Sequence, residues 1–137
     1  MKHIDELIRG EMAAVKSIDV VLHKLKDTKE KDQLMTLRND HEKAVQSLKR
    51  YVSADFKEDV QSSGPWGSFT KAFVGGASFF GDRTALQALK VGEEHGVNEY
   101  KQALADSSIQ QDLRNVIQNE LLPNQEKHIQ LIGRYLH

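Results

Sequence analysis

The stretch LIRGEMAAVKSIDVVL, residues 7–22, decides the fold. Apolar side chains in and around it recur every three or four residues, which is the spacing of one buried face of an α-helix. Glu11 lies in that face, where an apolar residue is due. Because an unpaired carboxylate in a core costs several kcal/mol, we expect other helices to supply its partners. The apolar face consists of Ile4, Ile8, Val15, Ile18, Leu22 and Leu25.

The composition is that of one helical domain, residues 1–137. A net charge of −1 gives no electrostatic support for a nucleic-acid partner, and no apolar run is long enough to be a transmembrane segment. The absence of cysteine excludes disulfides, thiolate metal ligands and a thiol nucleophile. Asp5 and Glu6 lie where a signal peptide needs apolar residues, so a cytoplasmic location is expected.

Two helices, A and B, are predicted before residue 57. Helix A runs from about Ile4 to Leu25, and Asp27 with Glu30 can begin helix B as N-cap and N3 residue. The apolar face of helix B is interrupted by a polar residue, His41. The short turn makes A and B antiparallel neighbours.

Two further helices, C and D, are predicted after residue 81. Helix C starts near Asp82, and Glu93 interrupts its apolar face. Ser107 and Ser108, each followed three residues later by Gln, form two overlapping capping boxes for helix D. Pro123 is predicted to kink helix D. The polar residues in the apolar face of helix D are Gln125 and His128.

The crossover between helices B and C, residues 58–81, is rich in aromatic residues and glycine. Gly64 and Pro65 favour the start of a short helix there. Its aromatic side chains either pack on the bundle or form an exposed patch that binds a protein partner, a second subunit or a membrane surface. These side chains are Trp66, Phe69, Phe73, Phe79 and Phe80.

The chain repeats itself in two hairpins, residues 3–57 and 82–136. LIRGEMAAVKSIDVVL aligns with LKVGEEHGVNEYKQAL (residues 89–104), so that Glu11 corresponds to Glu93. HEKAVQSLKRYV (residues 41–52) aligns with QEKHIQLIGRYL (residues 125–136), so that His41 corresponds to Gln125. The repeat predicts two related helical hairpins joined by the crossover.

The polar residues in the four apolar faces are predicted to meet in one layer. Counted from the turns, Glu11 and His41 lie within about 6 Å of the same height, and so do Glu93 and Gln125. Two carboxylates and two imidazoles from four helices can hold Fe, Mn or Zn. Alternatively, Glu11 pairs with His41 and Glu93 with His128, without a metal. The candidate metal ligands are Glu11, His41, Glu93 and His128, with Gln125 and Glu94 as further candidates.

Six short motifs carry a family resemblance: GEMAAV, DHEKAV, SSGPWGSF, FFGDRTAL, GEEHG and LLPNQEKHI. Together they resemble a bacterial family of uncharacterised ferritin-like four-helix-bundle proteins. The resemblance implies an all-α, antiparallel four-helix bundle with a long B-to-C crossover. It also implies metal ligands at Glu11 and Glu93, and Glu-x-x-His motifs in helices B and D. Helix B has His41-x-x-Ala44 instead and helix D has Gln125-x-x-His128, which leaves two carboxylates where a di-iron site has four.

Three classes of function remain open at this stage. The chain is a metal-binding protein, a metal-dependent oxidoreductase that uses dioxygen or peroxide, or a metal-free structural or stress-related interaction module. The last class would act through the crossover or through an oligomer interface. The fold class is compatible with a homodimer, and the sequence specifies no particular protein partner.

Overall fold

In the computed structural model, residues 2–52, 64–76 and 81–136 are described. No strand occurs in these ranges, so the prediction of an all-α protein is confirmed. None of the helices described is long and apolar enough to cross a membrane. The helices are α1 (Lys2–Lys24), α2 (Thr28–Lys49), α3 (Gly64–Gly76), α4 (Asp82–Ala105), α5 (Gln111–Val116) and α6 (Leu122–Tyr135), and a π-helical turn (Ile117–Leu121) joins α5 to α6.

The predicted starts of helices B and C are confirmed. The N-cap of α2 is Asp27, whose Oδ1 accepts the backbone N–H of Glu30 at 2.9 Å. This bond satisfies one of the free N–H groups that every helix start exposes. Helix α4 begins at Asp82, after an extended Gly81.

The predicted start of helix D is wrong. Gln110 is the N-cap of α5, and no side chain of the described residues caps it. Asp106 is the reason, since its Oδ1 accepts both the backbone N–H of Ser108 at 2.9 Å and the Ser108 hydroxyl at 2.6 Å. This local turn uses the serine that the capping box needs and delays the helix to Gln111.

The π-helical turn before Pro123 was not predicted from the sequence. The N–H of Leu122 donates to the carbonyl of Ile117, five residues earlier, rather than to the carbonyl four residues earlier. A proline inside a helix has no N–H to donate and clashes with the carbonyl four residues before it. The wide turn lets the helical run continue from Gln111 to Tyr135 with Pro123 in the first turn of α6. Such turns often lie beside functional residues.

The helices pack around a core that is divided by polar residues. Helix α1 contacts α2, α3 and α4, and α4 contacts α6. One apolar cluster includes Ile8 and Tyr100, and a second includes Ile18 and Leu89. Glu11 lies between the two clusters along α1. The buried polar residues at this level are Glu11, His41, Glu93, Gln125 and His128.

The described part of the crossover packs on the helices. Trp66 and Phe73 of α3 are buried, and Phe69 is half-buried against the same core. These positions favour the burial alternative for the aromatic segment. Phe79 and Phe80 lie outside the described residues.

Two glycines explain how α3 lies so close to α1 and α4. A Cβ added at Gly10 would come within 2.9 Å of the Trp66 ring, and one added at Gly92 would come within 2.9 Å of the Phe69 ring. Each glycine directly precedes a polar-layer glutamate, Glu11 or Glu93. The Gly-Glu pair of both repeats therefore does the same two things: the glycine receives an aromatic ring of α3, and the glutamate points into the core.

We expect Gly10→Ala to lower the free energy of unfolding by about 1–3 kcal/mol, because the methyl group forces the Trp66 ring out of place. Gly133→Ala is the matched control, since apart from its chain neighbours and its own helix backbone no described atom lies within 4 Å of the added Cβ. There the helix propensity of Ala should raise stability by about 0.5–1 kcal/mol. Urea unfolding of both variants measures the difference. Equal effects of the two substitutions would contradict the close packing of Trp66 on Gly10.

Candidate metal centre

His41 lies at the centre of the polar layer and joins two carboxylates. Its Nδ1 is 2.5 Å from Oε2 of Glu11, and its Nε2 is 2.6 Å from Oε1 of Glu93. Ionised carboxylates only accept hydrogen bonds. Both ring nitrogens therefore donate, and His41 is an imidazolium ion held between α1 and α4.

The opposite charges of His41 and the two glutamates stabilise each other. Burial alone would lower the pKa of His41, but the carboxylates of Glu93 and Glu11 outweigh it and raise the pKa well above 6.5. Burial would likewise raise the pKa of Glu93, but the positive charge of His41 and the neighbouring His128 lower that pKa to about 2. The layer therefore holds one buried cation between two buried anions at neutral pH.

Glu11 has both of its oxygens in hydrogen bonds. Oε2 accepts from His41, and Oε1 accepts the hydroxyl of Tyr100 on α4. Burial and the adjacent Glu11 carboxylate raise the pKa of Tyr100 well above 10, so the phenol stays protonated and remains a donor. Both oxygens of Glu11 are therefore hydrogen-bonded to side chains of the protein itself.

His128 presents a free ring nitrogen to the same layer. Its Nε2 lies 2.9 Å from Oδ2 of Asp40, which requires the proton to be on Nε2. Its Nδ1 is buried, has no hydrogen-bond partner among the described residues, and lies 3.7 Å from Oε1 of Glu93. The His128 and His41 rings are 4.8 Å apart between centroids. A buried imidazole nitrogen that has no hydrogen-bond partner among the described residues and lies close to a carboxylate is in a position to bind a metal ion, with the other ring nitrogen held by a second carboxylate.

The sequence-predicted residues divide into three groups. The ligand atoms of His41, Glu93 and His128 lie within 4.8 Å of one another. Glu11 lies on the far side of His41, and Gln125 donates through Nε2 to the backbone carbonyl of Glu93 at 3.3 Å. Glu94 is exposed and lies outside the layer.

The predicted metal-free pairs occur within a larger network. The Glu11–His41 pair is hydrogen-bonded as predicted, and Glu93 lies 3.7 Å from His128 without a hydrogen bond. In addition, Glu93 pairs with His41, and His128 pairs with Asp40. Sequence reasoning missed Asp40, which directly precedes His41 in the DHEKAV motif and so points about 100° away from it on the helix. Tyr100 follows Glu93 by two helical turns on the apolar face of helix C, where a tyrosine that packs and has a bonded hydroxyl is expected.

A small pocket of about 40 Å³ opens beside the imidazoles, between α2 and the helical run that ends in α6. That volume is enough for a few water-sized molecules. Residues after the π-helical turn form part of its wall, so the wide turn shapes the access to the layer. The pocket is lined by Glu11, Asp40, His41, Lys43, Ala44, Glu120, Leu121, Asn124, Gln125 and His128.

A second titratable group lies next to the tryptophan. Glu99 Oε1 accepts the indole N–H of Trp66 at 2.6 Å. Burial, together with the carboxylates of Glu6 and Glu11, raises the pKa of Glu99 to about 7 in spite of this bond. The folded protein thus takes up a proton at Glu99 over a pH range in which an unfolded chain has already lost it.

Glu99→Gln should stabilise the protein at pH 8 and change little near pH 4.5. A carboxyl group whose pKa rises from 4.5 to about 7 on folding makes stability fall as the pH rises between those values. Because Glu99 is only partly buried, we expect a gain of about 1 kcal/mol after solvent screening. Glu94→Gln, an exposed change on the same helix, is the control, and urea unfolding at the two pH values is the measurement. A gain from Glu99→Gln that is equal at both pH values would contradict the raised pKa.

Comparison of the chain with protein-family models, curated proteins and solved structures finds no match. The class of the protein therefore rests on its own geometry. It is an all-helical protein whose core contains a layer of two imidazoles and two carboxylates.

Proposed function

We propose that the chain is a ferritin-like four-helix bundle that binds one divalent transition-metal ion, Fe, Mn or Zn. The ligands are Nε2 of His41, Oε1 of Glu93 and Nδ1 of His128. The observation that carries the proposal is the buried Nδ1 of His128, which faces Oε1 of Glu93 at 3.7 Å without a hydrogen-bond partner in the described part of the chain.

The packing of the helices supports the bundle. Helix α1 lies against both α2 and α4, and α4 lies against α6, so α1, α2, α4 and the run from Gln111 to Tyr135 are its four helices. Helix α3 packs on α1 within the crossover. A long crossover between two helical hairpins is the connection found in one-crossover bundles.

Two carboxylates orient the imidazole ligands in this proposal. Glu11 accepts from Nδ1 of His41, which leaves Nε2 for the metal, and Asp40 accepts from Nε2 of His128, which leaves Nδ1. Imidazole ligands of metals generally donate their second N–H to such a partner. Glu11 was predicted as a metal ligand. In this proposal it instead orients the ligand His41, because His41 and Tyr100 each donate to one of its oxygens.

The donor set fits one ion and does not fit a di-metal centre. A second ion would need further carboxylates from helices α2 and α6. Ala44 stands in one of those places, and Gln125, an amide bonded to the Glu93 carbonyl, stands in the other. Two imidazoles and one carboxylate are a ligand set that leaves positions open for water or substrate.

A bound ion would supply Lewis acidity and, for Fe or Mn, a change of oxidation state. The protein contributes the ligands, the two orienting carboxylates and a pocket of about 40 Å³ through which small molecules reach them. If the protein is an enzyme, we therefore expect it to be a metal-dependent oxidoreductase that acts on small substrates.

Calorimetric titration of untagged, chelator-free protein with Zn²⁺, Mn²⁺ and anaerobic Fe²⁺ tests the proposal. We expect one ion per chain, and about one proton released per ion because the metal replaces the proton on Nε2 of His41. Affinity should therefore rise with pH while His41 is protonated in the free protein. Buffers that differ in ionisation enthalpy measure the released proton. A wild type that binds none of the three ions, and whose melting temperature none of them raises, would overturn the proposal.

A metal-free structural role is the second candidate. The observation in its favour is that His41 alone already satisfies one oxygen of each carboxylate without an ion. In that case the polar layer sets the register of the helices, and the function lies in contacts made by the crossover or by an oligomer interface. The same titration separates the two candidates.

A further inference from the structure

A second, smaller cavity borders Glu93 and the α3 helix. Its volume is about 10 Å³, which is about what one water molecule requires. Trp66 and Phe69 of α3 close it, above the two glycines that receive their rings. Ser17 of α1, Glu93 of α4 and Gln125 of α6 contribute polar groups to its wall.

Two of these polar groups are deeply buried and unsatisfied. Oε2 of Glu93 and Oγ of Ser17 have no hydrogen-bond partner in the described ranges, although their residues are only 3% and 1% exposed. A buried acceptor without a donor costs free energy, and a charged one costs most. Both residues line the same water-sized cavity, which indicates that the cavity contains the missing partner of these two atoms.

We propose that this cavity is a binding site for one water-sized hydrogen-bond donor, water or ammonium, held by Oε2 of Glu93 and Oγ of Ser17. Both molecules match the volume, and both can donate to two acceptors at once. The bound molecule fixes the Glu93 carboxylate so that Oε1 stays turned toward His41 and His128. The site needs no metal and is separate from the pocket beside Asp40.

The charge of the layer decides between the two occupants. In the metal-free protein, Glu11 and Glu93 carry two negative charges and His41 carries one positive charge, so one negative charge is left in excess. Ammonium would neutralise this excess charge. A divalent ion at the proposed centre would also remove it, and water would then be the better occupant. Ammonium chloride should thus stabilise the metal-free protein more than sodium chloride does if ammonium is the occupant.

Ser17→Ala tests the site through the sign of its effect. If the cavity is occupied, the substitution removes a hydrogen-bond partner and should lower the melting temperature by about 2–6 °C. If the cavity is dry, it removes an unsatisfied hydroxyl and should raise the melting temperature. Ser47→Ala, in a half-buried position on α2, corrects for the higher helix propensity of alanine.

The melts are done on metal-free protein in ammonium, sodium and tetramethylammonium chloride at equal ionic strength. Extra stabilisation by ammonium that is lost in Ser17→Ala identifies ammonium. Equal wild-type melting temperatures in the three salts, with Ser17→Ala less stable than its control, identify water. A Ser17→Ala protein more stable than its control in all three salts, or a high-resolution crystal structure without density between Oε2 of Glu93 and Oγ of Ser17, would overturn the proposal.

Discussion

Glu93→Gln should weaken binding of the divalent ion by more than about 100-fold. Loss of a residue that only orients a metal ligand costs up to about 100-fold, and Glu93 is proposed as a ligand itself. The amide keeps the volume of the side chain but removes the negative charge that faces His41 Nε2 and His128 Nδ1. Glu94→Gln is the matched control, because Glu94 is the exposed neighbour on the same helix turn. Dissociation constants from the calorimetric titration give the comparison.

The same pair of variants also tests the assignment of the ligands. Metal affinities of the two proteins that agree within about twofold would exclude Glu93 as a ligand, whatever the affinity of the wild type. Loss of binding in Glu94→Gln alone would mean that α4 is rotated relative to the arrangement described here, since residues 93 and 94 point about 100° apart on a helix.

His41→Ala should lower the free energy of unfolding of the metal-free protein by about 3–5 kcal/mol at pH 7. The substitution removes the cation that pairs with both buried carboxylates. Among the described residues, Glu93 then keeps only its 3.7 Å contact with His128, and Glu11 keeps only its hydrogen bond with Tyr100. His23→Ala, at an exposed position near the end of α1, is the control and should change little. Urea unfolding at constant ionic strength is the measurement.

The pH dependence identifies the cause of that loss. The pKa of His41 is raised by folding, so its contribution to stability is complete below pH 6.5 and disappears as the pH rises through its folded-state value. In His41→Ala, Glu93 loses the cation that lowers its pKa, so acidification should protonate it and reduce the deficit.

A triple variant separates lost charge pairing from lost packing. Combining His41→Ala with Glu11→Gln and Glu93→Gln removes all three charges and leaves the same cavity as His41→Ala. Replacing a buried ion-pair network by neutral groups is often neutral or stabilising, so we expect this variant to recover at least about half of the loss. A triple variant as unstable as His41→Ala would show that the loss comes from a cavity and not from the charges.

The sequence by itself determined the helices and the polar positions in their buried faces. Periodicity is a local property of the chain, and it correctly predicted α1, α2, α4 and the buried side chains of Glu11, His41 and Glu93. It failed at the start of α5, where Asp106 accepts both the backbone N–H and the hydroxyl of Ser108. It also gave no sign of the π-helical turn, which depends on how the helix accommodates Pro123.

The tertiary structure alone decided which polar groups meet. A spacing argument locates side chains to within about one helical turn, or 5.4 Å, whereas a hydrogen bond requires an accuracy of a few tenths of an ångström. Helix rotation and axial shift within that interval placed His41 between both glutamates and paired His128 with Asp40. They also placed Glu11 against Nδ1 of His41, on the side of the ring that faces away from Glu93. The residue types of the layer follow from the sequence, but their roles follow from packing, because only packing fixes the distances between atoms of different helices.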